Sequence, residues 1–71
     1  MKTYEEMVEI AAQNLVGMRK SGLYLDYECN TTRWAYAEML EEMFGNEFEE
    51  VNHTINRRRI EIEREAAEKA E

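Results

Sequence analysis

The stretch Leu23-Tyr24-Leu25-Asp26-Tyr27-Glu28-Cys29 decides between two folds for this chain. Leu23, Leu25, Tyr27 and Cys29 alternate with Tyr24, Asp26 and Glu28. A period of two predicts a short strand or an extended segment. An isolated strand needs a partner. Residues 23–29 therefore either pair with a second copy in a homodimer, pair with another protein, or run as an extended linker packed on helices.

Both flanks are helical in pattern. Thr3-Tyr4-Glu5-Glu6 is a capping box, in which the Thr hydroxyl caps a free helical amide and Glu6 reaches back. Tyr4, Met7, Val8, Ala11, Leu15 and Met18 then share one face at helical spacing. Arg19 and Lys20 suit the last turn, and Gly22 stops the helix. Asn30-Thr31-Thr32 offers caps for a second helix with Tyr36, Ala37, Leu40, Met43 and Phe44 on its buried face, stopped by Gly45. Asn46-Glu47-Phe48-Glu49 repeats the capping pattern and opens a third helix, striped by Phe48, Val51, Ile55, Ile62 and Ala66. The prediction is an all-α or nearly all-α single domain over residues 1–71. It has helices over 4–20, 31–44 and 47–68 and an extended segment over 23–29.

A chain of 71 residues has a thin core. Small scaffolds add disulfides, a metal or a partner. Cys29 is the only cysteine, which removes the disulfide and fits a reducing compartment such as the cytoplasm. Nothing approaches the roughly 20 apolar residues of a membrane span, and no N-terminal run resembles a signal peptide. A homodimer or a standing partner is the expected supplement.

Charge is the main functional signal. No lysine or arginine lies between Arg33 and Arg57, while that stretch holds Glu38, Glu41, Glu42, Glu47, Glu49 and Glu50. The first fifty residues carry the whole net charge of −7, and the rest balances to zero. Such a surface repels phosphate backbones and attracts basic protein surfaces. The glutamates are either a solvated face or a docking face for a basic partner. Trp34 lies beside Glu38 and Glu41 on the helix and away from Tyr36, Leu40 and Phe44. It either folds back over the preceding loop or serves as a partner-binding anchor, a role in which Trp is enriched.

Other chemistry is sparse. Glu50-Val51-Asn52-His53 has the Glu-x-x-His spacing of di-iron carboxylate bundles, but His53 falls on the polar side of its helix. Cys29 reads as a structural thiol. Arg57-Arg58-Arg59 fan over about 200° of helix and have Glu61, Glu63 and Glu65 within reach, so they read as a salt-bridged surface. Ile60 falls off the apolar stripe. Gly-rich phosphate loops and nucleophile elbows are absent. The expectation is a non-catalytic protein without metal or cofactor.

Two DNA-binding architectures are resembled. Helix, Phe44-Gly45-Asn46, helix resembles a helix-turn-helix unit, and strand 23–29 followed by two helices resembles ribbon-helix-helix. In the first, Glu47, Glu49 and Glu50 would meet the DNA. In the second, Tyr24, Asp26 and Glu28 would read the groove. Both present the wrong sign. In size and charge the chain resembles the small acidic accessory proteins of phages and mobile elements, anti-CRISPR-type inhibitors among them. That resemblance implies an inhibitor that blocks a basic nucleic-acid-binding surface. The partner-binding residues expected are Tyr24, Asp26, Glu28, Trp34, Glu38, Glu41, Glu42 and Glu49. The expected partner is a protein with a basic surface, with no nucleic acid or membrane bound directly. The alternative is a DNA-binding regulator of either architecture.

Overall fold

A computed structural model describes residues 1–70. The chain folds into three helices: α1 (Tyr4–Ser21), α2 (Asp26–Phe44) and α3 (Phe48–Lys69). No strand occurs among the described residues.

α1 forms as its sequence predicts. Thr3 Oγ1 accepts the Glu6 N–H at 3.1 Å and the Glu6 carboxylate accepts the Thr3 N–H at 2.9 Å. Those hydrogen bonds hold the Glu6 carboxyl below its ordinary pKa. Gly22 closes the helix in the left-handed region at φ 69°, where a Cβ would be strained.

α2 departs from expectation. It begins at Asp26, so Asp26 to Cys29 are helical and only Gly22–Leu25 connect α1 to α2. The strand reading of 23–29 is therefore wrong. The ribbon-helix-helix resemblance and a homodimer paired through that strand lose their edge with it. The cause is local. Glu28 reaches back to accept the Leu25 N–H at 2.8 Å, which satisfies an orphan amide at the helix start. Asp26 and Glu28 in the first turn also complement the helix dipole. Thr31 and Thr32, expected as caps, lie inside α2, and their hydroxyls donate to the carbonyls of Tyr27 and Glu28.

The core is small. Val8, Ala11, Leu15, Ala37, Leu40, Val51 and Ile55 form one buried cluster, with Tyr4, Met7, Met18, Tyr36, Phe44 and Phe48 packed around it. Ala12 and Cys29 are also buried. Tyr4 and Phe44 meet edge to face with ring centroids 5.7 Å apart, tying the start of α1 to the end of α2. Met43, expected inside, is 47% exposed, and Ala66 is exposed on the outer end of α3.

Salt bridges lie at the α1–α3 seam and along α3, and polar hydrogen bonds tie the other two seams. Between α1 and α3, Arg58 Nε donates to Glu9 Oε1 at 2.7 Å and its Nη2 donates to Oε2 at 3.3 Å. Arg58 also pairs with Glu61 and Glu65. Glu63 takes both Arg19 and Arg59. Between α2 and α3, Arg33 donates to Asn52 at 2.8 Å, and burial pulls its pKa below the ordinary value. Between α1 and α2, Asn14 donates to the Tyr36 hydroxyl at 2.8 Å. No helix of the described residues is long and apolar enough to cross a membrane.

Candidate functional site: the outer face of α2

One side of α2 is consumed by the core, through Cys29, Ala37 and Leu40. Arg33 and Tyr36 flank that side and bond to α3 and α1. At 100° per residue the opposite side carries Tyr27, Thr31, Trp34, Glu38, Glu41 and Glu42. Trp34 is 48% exposed, so it stands outward and does not complete the core.

The carboxylates here differ from those of the α1–α3 seam. Among the described residues, no salt bridge reaches Glu38, Glu41 or Glu42. The nearest cation along α2 is Arg33, and its guanidinium is turned into the α2–α3 seam, where it bonds Asn52 and Asn30. Glu38, Glu41 and Glu42 line a shallow open depression of about 430 Å³ with Ala35 and Met39. One of the three has a structural duty. The Glu41 carboxylate accepts the Phe48 N–H at 3.0 Å and so caps α3 from the preceding helix. Asn46, the expected cap, does not fill that role, since the N-cap position is Glu47.

The eight expected partner-binding residues divide into groups. Trp34, Glu38, Glu41 and Glu42 come together on α2. Asp26 and Glu28 sit at the far end of the same helix, and Asp26 lies about 22 Å from Glu41 along the axis. Glu28 is engaged as the cap of α2. Tyr24 is exposed at the α1–α2 turn, between the exposed Leu23 and Leu25. Glu49 is exposed in the first turn of α3.

Tyr27, which a period of two groups with Leu23, Leu25 and Cys29, is 66% exposed, two helical turns before Trp34. The seven-residue spacing from Tyr27 to Trp34 carried the signal, but only once the segment is read as helical.

The remaining candidates are unremarkable as sites. His53 is exposed, Cys29 is a buried free thiol, and Ile60 is exposed off the stripe. Among the described residues, no three His, Cys, Asp or Glu side chains are grouped so as to hold a metal ion. Arg58 and Arg59 are salt-bridged, while no carboxylate pairs with Arg57 among the described residues.

Compared with known proteins, the chain matches no family model, no curated protein and no solved structure.

Proposed function

We propose that this protein is a non-catalytic binding module of the cytoplasm whose α2 outer face docks on a basic surface of another protein. The observation that carries this is the segregation of charge. Arg19, Arg58 and Arg59 pair with carboxylates at the α1–α3 seam, while Glu38 and Glu42 on α2 have no salt-bridge partner among the described residues and share their helix with an exposed Trp34. A half-exposed tryptophan with carboxylates one and two turns further along the same helix face combines an apolar anchor with a field that steers cationic surfaces inward. Basic surfaces of this kind commonly serve nucleic acids, so occupation by this protein excludes the nucleic acid by competition. The proposed role is that of a small inhibitor or anti-defence protein.

A helix-turn-helix DNA-binding role is disfavoured by the same electrostatics. The first turn of α3 presents Glu49 and Glu50, both exposed, where a recognition helix meets phosphate and base edges.

The test is capture from host lysate on immobilised protein at low and high salt, beside a Glu38→Lys/Glu42→Lys variant. The expected result is a basic protein retained at low salt by the wild type alone, whose nucleic-acid binding is then displaced by the soluble wild type. Equal retention by the variant, or retention that ignores salt, contradicts the proposal. Glu41 is left intact in this variant because it caps α3.

A further inference from the structure

Tyr27 and Trp34 are the aromatic side chains of α2 that stand clear of the core. Seven residues apart, they project within about 20° of one another and about 10.5 Å apart along the helix. Glu38 lies one turn beyond Trp34, and Glu41 one turn beyond that. Neither ring closes the core, which is filled by Leu15, Leu40, Val51 and Ile55. Leu23, 83% exposed, and Leu25 are also exposed, in the turn that precedes α2. The outer face of α2 is thus an aromatic row that runs into unneutralised carboxylates.

We propose that this row selects arginine over lysine. One arginine of a partner helix stacks its guanidinium plane on Trp34 while its N–H groups bond Glu38, one turn further along, and a second arginine seven residues away stacks on Tyr27. This builds on the docking proposed above and supplies its chemistry. Carboxylates alone attract lysine and arginine alike. An ammonium is compact and strongly hydrated, and it meets a carboxylate as a point charge. A guanidinium is flat and weakly hydrated, so it can cover an indole or phenol face while bonding a carboxylate in its own plane. A partner helix with arginines seven residues apart repeats the spacing of Tyr27 and Trp34. Charge complementarity fixes the sign of the occupant, because the chain offers no lysine or arginine between Arg33 and Arg57.

Trp34 is the only tryptophan, so its emission reports directly on the proposed contact. Two amidated helical peptides would be titrated at low ionic strength, identical except for arginine or lysine at positions spaced by seven. Calorimetry would give the affinities for the wild type and for a Tyr27→Ala/Trp34→Ala variant, with circular dichroism confirming that the variant is folded. The expected result is about tenfold tighter binding of the arginine peptide, with a change in Trp34 emission. In the double variant that preference disappears. Arginine preference that survives in the double variant overturns the aromatic row. Equal affinity of both peptides for the wild type, lost in Glu38→Lys/Glu42→Lys, overturns the arginine selection but leaves acidic docking standing. Binding of neither peptide contradicts both.

Discussion

The carboxylate of Glu41, in the last turn of α2, accepts the backbone N–H of Phe48, the first residue of α3, at 3.0 Å. One side chain on the acidic face therefore also sets how the third helix leaves the second. Substituting it disturbs the fold as well as the surface. Glu41→Ala should cost about 1 kcal/mol, the usual range for a lost cap, and lower the melting temperature by roughly 4–8 °C. Glu38→Ala, which loses no hydrogen bond, should leave the melting temperature within a few degrees of the wild type. Thermal unfolding of the two variants side by side checks the distinction.

The core offers little redundancy. Leu40 and Ile55 are fully buried, and few large side chains accompany them. Leu40→Ala should cost about 2–5 kcal/mol, a large share of the roughly 4–10 kcal/mol available to a domain of this size. Denaturant unfolding should show a markedly lower midpoint, or a protein already unfolded at 37 °C. A change under about 1 kcal/mol would mean that Leu40 is not at the centre of the bundle.

Acid sensitivity should arise from the α1–α3 seam. Hydrogen bonds from Arg58, and then from Gln13, hold the Glu9 carboxyl below its ordinary pKa of 4.5. Folding therefore favours its ionised form. That stabilisation is present above the unfolded value and is lost as pH falls through the lower folded value. The wild type should lose stability below about pH 4.5, and Arg58→Gln should show a shallower dependence over that range. Chemical denaturation at a series of pH values measures both slopes. Parallel slopes would remove Glu9 and Arg58 as the source.

Much of the fold was legible because local signals agreed with one another. Thr3, Glu6 and Gly22 fixed α1 at both ends, and Gly45 fixed the end of α2, where it adopts φ 79°. The start of α2 departs from its sequence pattern because an amphipathic segment that fails to bury its apolar side mimics a strand. Leu23, Leu25 and Tyr27 alternate with polar neighbours, yet all three are exposed, and only Cys29 turns inward. Their periodicity recorded surface, not pleat. Asp26 and Glu28 were the better signal, since acids in a first turn favour a helix start. The cap of α3 was illegible for another reason. It comes from Glu41, seven residues earlier, and no local pattern at Asn46 could announce it. At the candidate site, Trp34 and the glutamates were legible from the helical spacing of 34, 38 and 41. Tyr27 joins them only because α2 extends over residues 26–30, about one and a half turns before the expected start.

The association rate with the captured partner, measured for the wild type and Glu38→Lys/Glu42→Lys at low and high ionic strength, tests the α2 docking face most directly. Electrostatic steering predicts a fast wild-type rate that falls steeply with salt and a variant that is slow at low salt and nearly insensitive to it. Equal rates for the two proteins at low ionic strength would show that the glutamates of α2 only keep the protein in solution.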